Sequence, residues 1–493
     1  LGKEQIVFDE GLEMIHENCG VVGIFSMERV NVIPFVIDCL RALQHRGQEA
    51  WGLAVPQKVP LKRIGLVSSS ANEFQAISRK YESHAAIGHV RYSTTGKSTL
   101  NNAQPIKVKD LCIAHNGTIA NVDQLTSMVG GCSFTPQSMT DTLVAAQHLA
   151  GHLAERKDLT EALAILKQEM IGSFCFTFLT GDGSVYAARD PKGFRPLVVG
   201  LHKPSNTYIV ASESCALSAV GAHLLRDVEP GEILQIDDSG LKSEYFAREN
   251  PHAHCAFEYT YFAHPTSVME GVNVYAARKR IGECLAREFK IPDADLVIPV
   301  PDSARPAALG YAIEAGLPFE EGLMKNRYSR KGSMRSFIEP YHETRVEINK
   351  GIIPLTDVIK GKNIVVVDDS IVRGVSSASI VRMLREYGAN KINMIVTYPP
   401  VRYPCYAGID FPSQEELLAY QQVQEETIGI KDIAYKVARS LGADFVAYNN
   451  TSTLARAINI PEKELCFTCT TGDYSPLGVK PLFKSRAVLK GRS

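Results

Sequence analysis

Residues 364–377, IVVVDDSIVRGVSS, constrain the fold more tightly than any other stretch of the chain. Ile364, Val365, Val366 and Val367 form an uninterrupted β-branched run, without the polar alternation of a half-exposed strand. Such a run reads as a strand buried on both faces of a parallel sheet. It leads directly into Asp368 and Asp369, then into a turn carrying Gly374, Ser376 and Ser377. Ile380, Val381, Met383, Leu384 and Tyr387 follow at helical spacing, up to Gly388. A strand, an acidic pair, a small-residue turn and a helix make up a phosphate site in many α/β proteins, because free N–H groups and the positive helix end face the anion. No Gly-Lys-Ser/Thr follows, so this is not a Walker loop, and the spaced glycines of a dinucleotide fold are missing. The two carboxylates suit a sugar diol or a phosphate-bound Mg2+. An ordinary βα unit with a solvated acidic turn fits the same pattern.

A length of 493 residues accommodates two domains. With 53 basic against 54 acidic residues, the charge balance gives no reason to expect nucleic acid or an anionic membrane as a partner. No apolar run approaches the ~20 residues needed to span a bilayer. The opening LGKEQIVFDEGLEMIHEN lacks the basic start and apolar centre of a signal peptide, so the expected location is cytoplasmic. Eleven scattered cysteines do not form a disulfide framework. Cys466 and Cys469 stand apart, at CxxC spacing.

In the first half, a strand is expected over 19–25, with a helix over 34–43. Further strands are expected at 86–90, 111–114, 174–179, 185–188 and 208–211, and helices near 140–153 and 160–170. GHVRYST (88–94) and AHNG (114–117) each read as a strand ending in polar groups. Singly these are weak signals, since a lone Cys is usually buried filler and Asn-Gly usually a turn. Together CGVVGIF, LQHRGQE, GHVRYST, AHNGTIAN and the later Asp141 resemble the class II glutamine amidotransferases in order and spacing. That resemblance implies that Cys19 is the nucleophile and the first residue of the mature chain, its own α-amine acting as base. An amine of pKa ~8 and a thiol of pKa ~8.5 exchange a proton at little cost. It further implies an oxyanion hole from Asn116 and the Gly117 N–H, Arg91 on the glutamine carboxylate, Asp141 on its α-ammonium, and a lid over 92–101. Because eighteen residues precede Cys19, residues 1–18 are expected to be a propeptide.

From about Val272 the pattern turns to βαβ. A helix is expected over 275–289, a strand over 296–299, a turn at 301–303, a helix over 305–315 closed by Gly316, and a strand from 323. Residues 325–350 are basic and too long for an ordinary connection, which reads as a lid over a charged substrate or as a solvated loop. NVYAARKRIG, VPDSARPAALGYA, GLMKNRY, VVVDDSIVRG and PCYAGID resemble the glutamine phosphoribosylpyrophosphate amidotransferase family, whose second half is a phosphoribosyltransferase. The resemblance implies that Asp368 and Asp369 hold ribose hydroxyls and Mg2+, with Ser303 near the same metal. The 5′-phosphate would lie in the turn of Ser370, Arg373, Gly374, Ser376 and Ser377, and Lys325 and Arg327 would reach the pyrophosphate. Three departures from the family pattern stand out, the first being that its basic Lys-Leu-Asn stretch is hard to find in 344–351. Residues 329–336 separate Tyr328 from Phe337, placing Arg335 only loosely in the usual arginine position, and Val375 replaces a Thr.

On spacing alone, Cys466 and Cys469 fit zinc or an iron–sulfur cluster. With Cys255 and Cys405 they resemble the four ligands of family members that carry a [4Fe-4S] cluster. Cys39, Cys112, Cys132, Cys175, Cys215 and Cys284 read as incidental thiols.

The expected architecture is therefore an α+β N-terminal Ntn-hydrolase four-layer sandwich followed by an α/β phosphoribosyltransferase domain with a parallel sheet. The expected divisions are 1–18 (propeptide), 19–255, 256–415, and a C-terminal segment 416–493 carrying the CxxC ligands. The implied reaction joins L-glutamine and phosphoribosylpyrophosphate to give phosphoribosylamine, pyrophosphate and glutamate, the first step of purine synthesis. Feedback by purine nucleotides and a homodimer or homotetramer are implied by the resemblance only. Two alternatives are another class II amidotransferase with a different acceptor, and a non-catalytic regulator that binds phosphoribosylpyrophosphate.

Overall fold

The computed structural model describes residues 19–68, 70–92, 99–128, 140–156, 158–325, 351–409, 411, 413–424 and 428–478. Residues 1–18, Arg327, the insertion at 329–336 with Arg335, Cys132 and residues 479–493 lie outside them.

Two antiparallel sheets build the N-terminal half. One has seven strands in the spatial order His223–Asp227, Val198–His202, Thr207–Ala211, Gly20–Ser26, Ala85–Arg91, Ala50–Ala54 and Leu61–Ile64. The other has six, in the order Gly240–Tyr245, Glu232–Asp237, Val185–Arg189, Gly172–Leu179, Leu111–Ile119 and Ile106–Val108. Gly20–Ser26 is buried along its whole length, and period-two geometry explains why. Val22 and Ile24 pack against the helix Ile33–Ala42, while Val21 and Phe25 meet Cys175, Val185 and Ala187 of the second sheet. The helices Asp141–Arg156 and Leu159–Glu169 cover that sheet's outer face through Val144, Leu149, Leu163 and Leu166. The layers run helix, sheet, sheet, helix: the four-layer sandwich expected.

One local expectation fails. AHNG does not end a strand, because Leu111–Ile119 continues through it, with Asn116 opposite Cys175 and Gly117 opposite Phe174. Gly117 holds φ at 150°, and a Cβ there would collide with the Ser173 carbonyl oxygen. The dipeptide is a close approach within a sheet, which its composition as a turn pair disguises.

The second half is built on a parallel sheet in the order Leu296–Pro299, Asn363–Asp368, Lys391–Val396, Phe445–Tyr448. Val365 and Val367 face the helices Val274–Glu288, Arg305–Ala315 and Thr451–Ile458. Ile364 and Val366 face Val375–Glu386 and Ile430–Leu441, so both faces are covered, as the apolar run requires. Val274–Glu288 and Arg305–Ala315 meet at glycines: a Cβ on Gly282 would collide with the Ala307 carbonyl, and one on Gly310 with that of Lys279. The fourth strand, Phe445–Tyr448, comes from the segment set apart after residue 415, so the parallel sheet draws on both.

Candidate active sites and the contacts between them

Cys19 immediately precedes the strand Gly20–Ser26, beside Ala85–Arg91. Its Sγ lies 3.7 Å from the Tyr92 carbonyl oxygen, and its own carbonyl accepts from Arg46 Nε at 3.3 Å. Burial raises the Cys19 thiol above its ordinary value, while the nearby Arg91 and Arg46 charges pull it down and Asp141 pushes it up. Cys19, Arg91 and Asp141 are thus brought together electrostatically. Arg91 is buried and donates to the Asn102 carbonyl at 2.6 Å. Asp141 opens its helix, accepting from the Thr142 N–H at 2.7 Å and the Ile119 N–H at 3.3 Å. This ties it to the strand that carries Asn116 and Gly117. Asn116 is completely buried, and neither its Nδ2 nor its Oδ1 has a partner among the described residues. Buried amides are normally paired, so among the described residues this one stands out as open to a ligand.

Beneath these residues lies an ion network not recognised from the sequence, although Arg46 sits in the quoted LQHRGQE. Arg46 is wholly buried and grips Glu258 through two bonds of 2.7 and 3.0 Å, and also pairs with Glu213. Arg195 reaches the same Glu258 at 2.9 Å and the Gly408 carbonyl at 2.7 Å. Burial alone would raise the Glu213 carboxyl, but His45 and Arg46 hold it well below the usual carboxylate range. The Ser267 hydroxyl and the His264 N–H also donate to Glu213, at 2.7 and 2.8 Å.

Asp368 ends its strand and Asp369 starts the turn, both buried. The Ser303 hydroxyl donates to Asp369 Oδ2, and the Ser370 hydroxyl donates to Oδ1 at 2.8 Å. The Thr397 and Tyr398 N–H groups hold the two carbonyls at 2.9 Å. Burial drives both carboxyls above their ordinary range; at Asp368 the neighbouring Asp369 adds to the rise, while at Asp369 Ser303, Ser370, Arg278 and Lys325 oppose it. The Tyr448 hydroxyl, within reach of the Asp368 charge, is buried without a partner among the described residues. Lys325 Nζ stands 3.0 Å from Asp302 Oδ2. Gly374, at φ 86° and ψ −5°, caps the helix Val375–Glu386, and a Cβ there would collide with Leu418. Arg373 Nε is 3.1 Å from Glu416 Oε2.

The segment Glu258–Phe262, wound as one π-helical turn, touches both sites. Its first residue holds Arg46, and the Tyr259 and Tyr261 carbonyls accept from Arg278 at 2.8 Å. Arg278, pulled down to about 10 by burial, senses the Asp369 charge.

The four expected cluster cysteines also converge. Cys255 and Cys466 are partners in a short parallel pair. The Ala407 N–H donates to Cys405 Sγ at 3.3 Å, and the Tyr398 hydroxyl lies 3.3 Å from Cys469 Sγ. Burial raises the Cys255, Cys466 and Cys469 thiols, and each of the three feels Cys405.

Comparison with known proteins agrees with this geometry. Residues 89–219 match the glutamine amidotransferase domain family. The chain is 40% identical over 481 residues to the amidophosphoribosyltransferase of Mycobacterium tuberculosis, covering 94% of this chain and 88% of that one. It is 39% identical to that of Methanocaldococcus jannaschii, covering 92% and 97%. Among solved structures it resembles the glutamine phosphoribosylpyrophosphate amidotransferase of Bacillus subtilis complexed with ADP and GMP, with a TM-score of 0.80 and 35% identity, covering 92% and 97%. Two sites of this construction, on one chain aligned nearly end to end with these relatives, place the protein in the amidophosphoribosyltransferase family.

Proposed function

We propose that this enzyme hydrolyses glutamine at Cys19 and passes the ammonia to phosphoribosylpyrophosphate bound over Asp368 and Asp369. The observation that carries the reading is Asn116, whose fully buried amide has no partner among the described residues.

Residues 1–18 are removed first, freeing the Cys19 α-amine. That amine takes the thiol proton as sulfur attacks the glutamine carboxamide carbon. The Asn116 Nδ2 and Gly117 N–H donate to the oxyanion, where one such donor contributes about 3 kcal/mol. Arg91 holds the substrate carboxylate and Asp141 its ammonium. The carbon–nitrogen bond breaks, ammonia leaves carrying the transferred proton, and water hydrolyses the thioester to glutamate.

At the second site Lys325 and Arg327 neutralise pyrophosphate, while Ser370, Arg373, Gly374, Ser376 and Ser377 enclose the 5′-phosphate. The two raised carboxyls and Ser303 form an all-oxygen donor set that fits Mg2+. When bound, Mg2+ spreads the charge of the departing pyrophosphate. Ammonia travels past Glu258–Phe262, the segment both sites share, and attacks the ribose C1 with inversion.

Cys255, Cys405, Cys466 and Cys469 hold a [4Fe-4S] cluster in this reading. The cluster would pin the chain near Cys255 to the C-terminal segment, where Cys255 already pairs with Cys466. Purine nucleotides act as feedback inhibitors, and the enzyme is a cytoplasmic homodimer or homotetramer. No helix among the described residues is long and apolar enough to cross a membrane.

The test is a Cys19→Ser variant. Glutamine-dependent pyrophosphate release should vanish, while release driven by added ammonia persists. Loss of both, in a variant that folds normally, would contradict two separable sites.

A further inference from the structure

On the outer helical layer, away from both sites, His148 and His152 lie four residues apart on Asp141–Arg156 and therefore on one face. They converge on Glu169, the last residue of Leu159–Glu169. His148 Nδ1 and His152 Nε2 each stand 3.1 Å from the same oxygen, Glu169 Oε2. One ligating atom from each of the three residues falls within 4.8 Å of the others.

The far side of His148 makes the arrangement informative. Its Nε2 lies 2.8 Å from the Leu125 carbonyl oxygen. A carbonyl only accepts, so Nε2 carries the hydrogen, and in a neutral imidazole Nδ1 is then a bare lone pair. That lone pair faces a carboxylate oxygen with the same need. No arginine or lysine pairs with Glu169 among the described residues. A metal-ligating histidine typically donates its other N–H to a carbonyl in this way, which fixes the tautomer and orients the ring. His148 is nearly closed off, whereas His152 and Glu169 keep about a fifth of their side-chain surface in solvent, which leaves an entry path.

We propose that His148 Nδ1, His152 Nε2 and Glu169 form a binding site for a divalent transition metal of the zinc class. Two imidazoles and one carboxylate suit Zn2+ and leave a fourth position for water. The ion would tie the two helices together next to Leu125, and the first of these helices begins at Asp141.

The experiment uses the untagged full chain equilibrated with Zn2+ and dialysed. Metal content and melting midpoint are compared with those of His152→Ala and Glu169→Gln, whose partly exposed side chains can be replaced without opening the core. The wild type should retain one zinc more per chain than either variant, with only nitrogen and oxygen neighbours for that increment in X-ray absorption, which separates it from metal on the cysteines. Its midpoint should rise with Zn2+ and theirs should not. Equal metal content and equal response in all three proteins would overturn the proposal and leave a protonated His148 bridging to Glu169.

Discussion

Asn116 offers the sharpest separation of activity from stability. Its amide is completely buried, and both polar atoms are without a partner among the described residues. Leaving a buried polar group unpaired costs about 1–3 kcal/mol of folding free energy. On the proposed mechanism, that cost is offset when a substrate oxyanion arrives. Replacement by leucine, close in shape but apolar, should therefore leave stability unchanged or raise it by about 1 kcal/mol. If Asn116 is the proposed oxyanion donor, the same change should cost about 3–4 kcal/mol, or ~100- to 1000-fold in kcat. The assay is glutamate release over a range of glutamine concentrations, beside denaturant unfolding of both proteins. KM should move little, because in the proposed mechanism Arg91 and Asp141 still hold the ends of the substrate. Ammonia-driven pyrophosphate release should continue. A kcat within about threefold of wild type, or a loss of several kcal/mol in stability, would refute the argument. Asn116 would then be an ordinary structural side chain.

Glu258→Gln leaves Arg46 and Arg195 buried around a neutral amide; breaking such a pair from one side costs about 3–5 kcal/mol, readable as a lowered denaturant midpoint, and an unchanged midpoint would contradict it. At Asp368 the folded pKa is raised by burial and by Asp369, so the folded state binds this proton more tightly. Its contribution is therefore fully present below the unfolded value near ~3.9 and is lost as pH rises through the folded one. Asp368→Asn, measured without Mg2+, should be more stable than wild type at neutral pH, the gap narrowing by at most ~1.4 kcal/mol per pH unit as pH falls toward 4. A variant less stable than wild type at pH 7 would show the sign to be wrong. Gly282→Ala forces a Cβ into the Ala307 carbonyl and should cost at least about 1–3 kcal/mol by thermal melting, the range for overpacking; a neutral result would mean the two helices separate freely.

The features legible in the sequence were those written locally. An apolar run buried on both faces, as at residues 364–367, has few other homes, and the acidic pair follows it; the turn is shorter than expected, because the helix already begins at Val375 and takes in Ser376 and Ser377. Helix limits came within a residue or two where caps mark them, as at Gly316, which sits at φ 68° beyond Arg305–Ala315. Asn116-Gly117 misled because its composition says turn, while its glycine serves a close strand-to-strand approach that only the folded sheet creates. The Arg46–Glu258–Arg195 network was hidden for a related reason: its members are separated by 212 and 63 residues, and no local pattern announces that charges so distant will share one buried pocket. Phe445–Tyr448 could not be assigned to the sheet from its own four residues, since strand order is a tertiary property. The motifs themselves located Cys19, Arg91 and Asp141, which the fold brings within electrostatic reach of one another.

The central claim is that one chain couples glutamine hydrolysis to displacement of pyrophosphate. The most direct measurement supplies glutamine, phosphoribosylpyrophosphate and Mg2+ and quantifies glutamate and pyrophosphate in the same samples over time. Equal release of the two, with little glutamate formed when phosphoribosylpyrophosphate is omitted, is the expected result. Glutamate without pyrophosphate would point to a different acceptor, and neither product would point to a regulator; either outcome contradicts the claim.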